Sequence, residues 1–291
     1  MDTVPGASSF SGKVAVITGA ASGIGLALAL EAARRGMDVA LGDIGEEGLA
    51  KAKEAVEALG VRAVAIRTDV SKLVDVQALH DGAALALGDP WLVINNAGIT
   101  KLALTWDHTE ADWKRMFDIN VGGVINGLLA FLPGLRARGE GHIVNTASAA
   151  GLLTIPAASA YVASKHAVVG LSETLYRELI ASRSGVGASV LCPALVKTNI
   201  LGAAAPAGGK ASEINSPHAL EPEEVARQVF EAVAAKRFWI LTHRAHMEPY
   251  IRARAEQMVT ETNPNAASVD PDVSKTSSLA TGVDFTTWPD A

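Results

Sequence analysis

The sequence predicts an α/β fold, a doubly wound parallel sheet of about seven strands with helices on both faces. The first observation is that short β-branched runs alternate with longer runs rich in Ala and Leu, which implies parallel strands joined by crossover helices. The second observation is that no shift of composition splits residues 10–260. We therefore expect a single domain over residues 10–261.

Each predicted element follows from its local pattern. The β-branched runs predict strands at residues 13–18, 38–43, 62–68, 91–95, 141–147, 187–192 and 238–241. The Ala- and Leu-rich runs between them predict helices at residues 23–35, 46–59, 73–87, 110–132, 157–181 and 222–235. Two of these helices have clear starts, because the acids Glu46 and Glu47 favour a helix N-terminus and Pro156 precedes the helix at 157–181.

Three segments lie outside this alternation. Residues 1–9 are an N-terminal extension. Residues 199–220 are rich in Ala, Gly and Pro and predict a loop that closes over a substrate. Residues 262–291 are dominated by Pro, Ser, Thr and Asp without a helical period, so we expect an extended or disordered tail.

Composition and charge exclude several classes of protein. The chain has 25 Lys and Arg against 31 Asp and Glu, a net charge of −6, so nucleic acid is not an expected partner. The longest uncharged stretch, residues 143–164, contains Gly151 and Pro156, so no membrane span is expected. Residues 1–12 lack the features of a signal peptide, and the single Cys192 cannot form an internal disulfide. A cytoplasmic protein is the simplest expectation.

A glycine-rich turn follows the first predicted strand. Glycines there let the backbone turn tightly and approach a pyrophosphate, whose charge meets the N-terminus of the next helix. The residues expected to bind a dinucleotide at this turn are Gly19, Ser22, Gly23, Ile24 and Gly25. Alone, the pattern also fits a tight strand-to-helix turn without a ligand.

Asp43 strengthens the dinucleotide interpretation. It ends the second predicted strand, 18 residues beyond Gly25, close to the spacing expected of a carboxylate that binds an adenosine ribose. Read alone, Asp43 is an ordinary solvated turn residue.

Tyr161 and Lys165 are four residues apart and therefore share one face of a predicted helix. A nearby ammonium favours the phenolate, so we expect the pKa of Tyr161 to be lowered toward the working pH of a general acid/base. Ser148 follows the fifth strand, at the sheet edge where open α/β folds bind ligands, and can donate a hydrogen bond to a substrate oxygen. A surface pair of Tyr and Lys remains the alternative for this spacing.

Taken together, these motifs resemble the short-chain dehydrogenase/reductase family over about residues 10–245. The resemblance rests on the turn from Thr18 to Gly25, the Asn-Asn-Ala-Gly run at Asn95 to Gly98, Asn120, Ser148, Tyr161 and Lys165. It implies a Rossmann-type fold and NAD as cofactor. One departure is Pro193-Ala194, where the family usually has Pro-Gly.

The resemblance also implies roles for individual residues. Tyr161 would exchange a proton with the substrate oxygen, Ser148 would orient that oxygen, and Lys165 would bind the nicotinamide ribose. Asn120 would hold a proton-relay water. The further cofactor contacts implied are Asp69, Val70, Asn96, Ala97, Gly98, Val196 and Thr198.

The predicted function is an NAD-dependent alcohol dehydrogenase or ketoreductase that acts on a largely apolar secondary alcohol/ketone pair. The apolar pocket is expected from Leu102, Leu104, Trp106, Leu152, Leu153, Ile155, Ile200 and Leu201. Lys101 and Lys210 are the nearest candidates for binding an anion. Alternatives are an NADPH-dependent 3-oxoacyl-type ketoreductase, which Asp43 disfavours, a non-catalytic dinucleotide-binding protein, and a methyltransferase that leaves Tyr161 unexplained.

The sequence also allows predictions about the oligomeric state, metal binding and the reactivity of the single cysteine. The family resemblance implies a homo-oligomer, a tetramer or dimer, in which the helices at 110–132 and 157–181 pair across a two-fold axis. Some of the apolar residues on these helices are candidates for that interface; they are Phe117, Val121, Val124, Leu128 and Val168. His243 and His246 lack further ligands of a tetrahedral set, so no metal is expected. Cys192 ends a buried strand and is expected to be inert.

Overall fold

The computed structural model describes residues 10–198 and 216–287, which form a seven-stranded parallel sheet of order β3-β2-β1-β4-β5-β6-β7. The strands are β1 Val14–Thr18, β2 Asp38–Asp43, β3 Ala63–Arg67, β4 Pro90–Asn95, β5 His142–Thr146, β6 Gly187–Cys192 and β7 Trp239–Leu241. Each predicted strand end lies within one residue of the observed end. The predicted fold class is confirmed.

The helices cover both faces of this sheet. They are α1 Gly23–Arg34, α2 Glu46–Glu57, α3 Leu73–Leu87, α4 Glu110–Phe117, α5 Gly123–Arg138, α6 Ser159–Ala181, α7 Pro222–Ala234, α8 Arg244–Val259 and α9 Pro271–Thr281. Helices α1, α2 and α7 pack on one face, and α3, α5 and α6 pack on the other. A hydrophobic core lies on each face of the sheet, and alternate residues of β1 pack into the two cores. Ala15 and Ile17 belong to one core, and Val14 and Val16 belong to the other.

The strand order reverses between β1 and β4, because β1 pairs with β2 on one side and with β4 on the other. In open α/β sheets such a reversal leaves a crevice outside the carboxyl ends of the strands, where ligands bind. The glycine-rich turn follows β1 and the Asn95 run follows β4, so the topology brings both motifs to this crevice.

Two helical regions differ from the sequence-based prediction. The single helix expected at 110–132 is interrupted by a π-helical turn, Asp118–Gly122, and continues to Arg138. The tail expected to be extended or disordered over 262–291 instead contains α9, so that prediction is wrong for the described part. Asp270 caps α9 by accepting a hydrogen bond from the Asp272 N–H at 2.9 Å, and Pro271 occupies its first turn. The packed side of α9 includes Ser274 and Ser277. Because these buried side chains are small and polar, the distribution of hydrophobic residues does not show a helical period in this segment.

Two predicted segments fall wholly or mainly outside the described residues. These are the N-terminal extension at 1–9 and most of the loop at 199–220, of which only residues 216–220 are described. Leu220 bridges to Val196, so the last residue of that loop pairs with the segment that precedes the loop.

Within the described residues, the helical stretch Glu110–Arg138 is the one long and apolar enough to cross a membrane by length and composition. Core helices of globular proteins meet the same criteria. This stretch packs Val124, Phe131 and Leu135 into the protein core. It therefore gives no support for a membrane span.

Candidate active site

The turn between β1 and α1 is folded so tightly that glycine is required at two positions. Gly19 has φ +67°, and a Cβ there would lie 2.9 Å from the Ala97 Cα. A Cβ on Gly25 would lie 1.9 Å from the Gly19 carbonyl oxygen. The close approach of backbone to backbone leaves a cradle of the kind that binds pyrophosphate.

The N-terminus of α1 faces this cradle without a capping side chain. Ser22 is the N-cap residue but makes no side-chain hydrogen bond to the helix among the described residues, and the first turn of α1 contains no acid. The amide groups of this turn, including those of Gly23 and Ile24, are thus available to an anionic ligand. A Cβ on Gly23 would lie 3.2 Å from the Thr198 Cγ2, which places Thr198 beside the turn.

Asp43 lies at the end of β2, with its carboxylate against the glycine turn. One carboxylate oxygen accepts the Ala21 N–H at 3.0 Å, and the other accepts the Gly45 N–H at 2.9 Å. These bonds fix the carboxylate at the edge of the cradle, where it can accept hydrogen bonds from ribose hydroxyls.

Arg67 is a nearby cation that the sequence-based interpretation missed. The register of β2 and β3 pairs Asp43 with Arg67, and the Arg67 Nε lies 3.4 Å from a carboxylate oxygen of Glu46. Both partners of this ion pair are largely exposed, so it is a weak interaction. Arg67 therefore lies next to the residue that is expected to bind the ribose, in a weak ion pair with a carboxylate of α2.

The segment Asn96 to Gly98 is fixed over the cradle by Thr18. The Thr18 hydroxyl accepts the N–H groups of Asn96 at 2.9 Å and Ala97 at 3.1 Å, and the Asn96 Nδ2 donates to the Thr18 carbonyl at 3.0 Å. A Cβ on Gly98 would lie 3.4 Å from the Lys165 Nζ, so this segment joins the cradle to the predicted catalytic residues.

Asp69 and Val70 follow β3, and Val196 lines the cavity around Tyr161. The Asp69 carboxylate accepts the Ser71 hydroxyl at 2.6 Å, and hydrogen bonds from Ser71 hold the pKa of Asp69 below its usual value. The Val70 carbonyl accepts the Asn126 Nδ2, which ties the end of β3 to α5. Val196 is buried, at 4% exposure.

Asn120 is fully buried in the π-helical turn between α4 and α5. Its Oδ1 accepts the Ile99 N–H at 2.8 Å, and its Nδ2 donates to the Ile99 carbonyl and to the Ser164 hydroxyl, each at 3.0 Å. The Asn120 side chain therefore ties the segment after β4 to helix α6, which carries Tyr161 and Lys165. Local π-helical turns are frequent at functional sites because they re-aim the residues of a helix.

Lys165 is buried beneath Tyr161. The Lys165 Nζ donates to the Thr146 carbonyl at 2.9 Å and lies 5.7 Å from the centroid of the Tyr161 ring. Burial lowers the pKa of Lys165 to about 8, from an ordinary value of 10.5. The two residues share one face of α6, as their spacing predicts.

Ser148 follows β5 and faces the same cavity as Tyr161. Its hydroxyl donates to the Pro193 carbonyl at a long 3.4 Å and accepts the Ala150 N–H at 3.1 Å. The long bond to Pro193 is weak, so the hydroxyl can turn toward a substrate oxygen at little cost.

The expectation that the pKa of Tyr161 is lowered is wrong for this structure. Desolvation in the cavity raises the pKa of Tyr161, and the hydrogen bond with Ser148 opposes that shift only in part. Tyr161 is therefore held as a neutral phenol at neutral pH and can donate a proton.

The cavity above Ser148 and Tyr161 is lined mainly by apolar side chains. Among the residues expected there, Leu102, Leu153 and Ile155 line it, whereas Leu104, Trp106 and Leu152 do not. Trp106 is 79% exposed, and Leu152 packs into the core beside α6. Ile200, Leu201 and Lys210 lie outside the described residues. The Lys101 Nζ lies 2.6 Å from a carboxylate oxygen of Asp112, so Lys101 forms an ion pair within the protein.

The C-terminal helices contribute a wall that the sequence-based interpretation missed. Met247 of α8 and the residues Asp270, Val273, Thr276 and Ser277 at and within α9 line the cavity. The signal that predicts α9 is the Asp270-Pro271 start together with Gly282 at the C-terminal end, in the left-handed region at φ +75°.

The surroundings of His243, His246 and Cys192 indicate structural roles for these three residues. The His246 Nε2 is bonded to a carboxylate oxygen of Asp270 at 2.8 Å, and the His243 Nδ1 accepts the Ala194 N–H at 3.3 Å. The described residues contain no cluster of three or more metal-ligating side chains. Burial raises the pKa of Cys192 to about 12, which makes the thiol a poor nucleophile.

The chain is similar to known proteins over most of its length. The model of the family described as short chain dehydrogenase matches residues 13–207. The oxidoreductase SadH of Mycobacterium tuberculosis is 41% identical over 203 residues, which is 70% of this chain and 74% of SadH. A cyclohexanol dehydrogenase of Acinetobacter sp. is 35% identical over 225 residues, 76% of this chain and 87% of that enzyme.

A solved structure extends the similarity to the whole fold. A short chain dehydrogenase/reductase from Burkholderia phymatum, in complex with NAD, superposes with a TM-score of 0.82 at 41% identity. The superposition covers 88% of this chain and 97% of that one. The region shared by the two proteins includes most of the sheet and helices described above.

Proposed function

The chain belongs to the short-chain dehydrogenase family, and from that premise we propose that this oxidoreductase uses NAD to interconvert a largely apolar secondary alcohol and its ketone. The observation that carries the proposal is one continuous site. It runs from the glycine cradle after β1, past Gly98 and Lys165, to an apolar cavity with Ser148 and Tyr161 in its wall.

NAD fits the residues that are present. The uncapped start of α1 and the glycine cradle suit the pyrophosphate, Asp43 suits the adenosine ribose, and Lys165 suits the second ribose. The Burkholderia relative binds NAD, which supports this choice. NAD, when bound, supplies the hydride chemistry.

The protein supplies proton transfer and orientation. Ser148 and Tyr161 present hydroxyl groups to the cavity, so both can hydrogen-bond to one substrate oxygen. Tyr161 donates its proton to a ketone oxygen, because its raised pKa keeps it neutral at pH 7. In the oxidative direction Tyr161 must first lose that proton, so the oxidation is favoured by alkaline pH.

A preference for NAD over NADP follows from Asp43. Its carboxylate accepts hydrogen bonds from ribose hydroxyls and repels a 2′-phosphate. Arg67, the cation in register with Asp43, is paired with Glu46 and would have to leave that pair to bind a phosphate.

The substrate proposal rests on the chemistry of the cavity wall. Most lining side chains are apolar, and among the described residues the one carboxylate in the lining, Asp270, is bonded to His246. No lysine or arginine of the described residues lines the cavity, so a substrate carboxylate or phosphate would be buried without a partner. Similarity to a cyclohexanol dehydrogenase also favours cyclic alcohols.

The proposal is tested by screening secondary alcohols with NAD and with NADP, and recording the reduced cofactor by its absorbance. We expect cyclic alcohols with NAD to give the highest kcat/KM. Higher activity with carboxylated or phosphorylated alcohols of similar size would contradict the apolar-substrate proposal. Equal efficiency with NADP would contradict the cofactor preference.

A further inference from the structure

Helix α9 forms one side of the cavity through three residues on one helical face. Val273, Thr276 and Ser277 are spaced i, i+3 and i+4, and all three line the cavity together with Tyr161 and Ser148. Leu279, near the C-terminal end of α9, does not line the cavity and is 85% exposed. The helix therefore separates the cavity from solvent.

Hydrogen bonds hold α9 against the segment that precedes Tyr161. The Ser277 hydroxyl donates to the Pro156 carbonyl at 2.8 Å, and Ser277 is 1% exposed. At the other end of α9, the Ser216 hydroxyl donates to an Asp272 carboxylate oxygen at 2.6 Å. The neighbouring α8 is tied to the same segment, because the Arg254 Nη1 donates to the Leu152 carbonyl. These bonds hold α9 as a fixed wall.

The chemistry of the wall suits an apolar ligand. The Thr276 hydroxyl donates to the Asp272 carbonyl of its own helix, and the Ser277 hydroxyl is used by Pro156. Neither residue has an uncommitted donor hydrogen for a substrate. Within α9, Val273 is the cavity-lining residue whose side chain is wholly apolar.

We propose that α9 determines the size of the substrate, and that the side-chain volume at Val273 sets the largest ring that the cavity accepts. This inference rests on the proposed function, since it assigns the cavity to the alcohol or ketone. Helix α9 lies beyond residue 207, where the match to the family model ends, so this wall belongs to the part of the chain that the family model does not describe.

The test compares the full-length wild type with Val273→Ala and Val273→Phe on cyclopentanol, cyclohexanol and cyclooctanol with NAD. We expect Val273→Phe to lower kcat/KM for cyclooctanol at least tenfold more than for cyclopentanol, mainly through KM. Val273→Ala should shift the preference toward cyclooctanol. Leu279→Phe is the matched control, because it adds the same ring to the exposed side of α9, and its ring-size profile should equal that of the wild type.

Binding measurements separate this inference from the proposed function. Calorimetry gives the Kd of NAD, which should be unchanged in all variants, and the Kd of each cyclic alcohol for the protein saturated with NADH, which cannot accept a hydride from the alcohol. If no alcohol is oxidised but the alcohols bind and Val273→Phe selectively weakens cyclooctanol, the proposed reaction is wrong and the role of α9 holds. The role of α9 is wrong if both Val273 variants keep the wild-type ring-size profile in turnover and binding, or if no cyclic alcohol binds.

Discussion

The ammonium of Lys165 is buried beside Tyr161, and burial lowers the pKa of Lys165 to about 8 in the folded protein. The folded state therefore binds this proton more weakly than the unfolded state, whose pKa is near 10.5. Burial of the charge reduces the free energy of unfolding by about 3 kcal/mol at pH 7. This penalty declines between pH 8 and 10.5, where the lysine becomes neutral in both states.

The variant Lys165→Met tests this balance at pH 7 and pH 10. Its free energy of unfolding relative to the wild type should fall by about 2 kcal/mol between the two pH values, measured by urea denaturation. Its turnover and its affinity for NAD should both fall, because the ammonium is assigned to the ribose and to Tyr161. A relative stability that does not change with pH would contradict the buried charge, and unchanged NAD affinity would contradict the ribose contact.

Asp43 is expected to control the choice of cofactor. The variant Asp43→Asn loses a charged hydrogen-bond acceptor and the repulsion of a phosphate, so the ratio of kcat/KM for NAD over NADP should fall about 10- to 100-fold. Adding Glu46→Gln should lower the ratio further, because it releases Arg67 from its ion pair. Glu47→Gln is the control, since Glu47 is exposed and pairs with Lys51. A ratio in Asp43→Asn equal to that of the control would be inconsistent with the assignment.

For individual residues, the sequence is most informative where a motif places them close together along the chain. The glycine turn, Ser148 and the Tyr161–Lys165 pair are adjacent in sequence to the elements that place them. The proximity of Arg67 to Asp43 depends on the register of β2 and β3, which the sequence pattern does not define. The raised pKa of Tyr161 depends on desolvation by the surrounding elements, so spacing alone predicted the wrong direction.

Two helical glycines show how tightly individual elements pack. Gly127 of α5 faces β4, and a Cβ there would lie 2.0 Å from the Asn95 Oδ1. Asn95 is held by a hydrogen bond from its Nδ2 to the Asn145 Oδ1 at 2.9 Å, so it cannot move freely. Gly170 of α6 is exposed, and a Cβ there would have none of the described atoms outside its own helix turn within 4 Å.

The same substitution should therefore have opposite effects at the two glycines. Gly127→Ala should lower the free energy of unfolding by about 1–3 kcal/mol through overpacking. Gly170→Ala should raise it by about 0.5–1 kcal/mol through helix propensity. Urea denaturation measures both values. A change of the same sign at both positions would contradict the packing of α5 on β4.

Elements were predicted well where burial imposes a regular pattern and poorly where it does not. Strands β1, β2, β4, β5 and β6 are largely buried between two layers of helices, and their β-branched runs revealed them. Helix α9 packs through Ser274 and Ser277, and its start signal at Asp270 lies within a segment whose composition is typical of disorder. Its position over the cavity depends on contacts with Pro156 and Ser216, far away in the sequence.

Assembly belongs to the scale of the whole molecule. Of the five apolar residues considered for a subunit interface, Val124 and Val168 are buried within the monomer, so they are core residues and the interface must use others. Other apolar residues of the α4–α5 surface are exposed, with Ile125 at 39% and Leu129 at 57%. Exposed apolar residues one helical turn apart favour contact with a second copy of the chain.

We predict that the wild type is a homo-oligomer, a tetramer or dimer, and that Ile125→Asp combined with Leu129→Lys reduces its molar mass. Light scattering coupled to gel filtration measures this mass. Leu85→Lys is the control, because Leu85 is 91% exposed on α3 and should not affect assembly. A wild-type mass equal to that of a 30.1 kDa monomer would contradict the prediction.

The central claim is that Tyr161 exchanges a proton with the substrate in an NAD-dependent reaction, and Tyr161→Phe tests it most directly. The variant keeps the ring and removes only the hydroxyl, so the Kd of NAD should stay within about threefold of the wild type while kcat falls at least about 100-fold. In the wild type, alcohol oxidation should rise with pH above neutrality, because the pKa of Tyr161 is raised. A loss of turnover below tenfold in Tyr161→Phe, with NAD binding intact, would contradict the account.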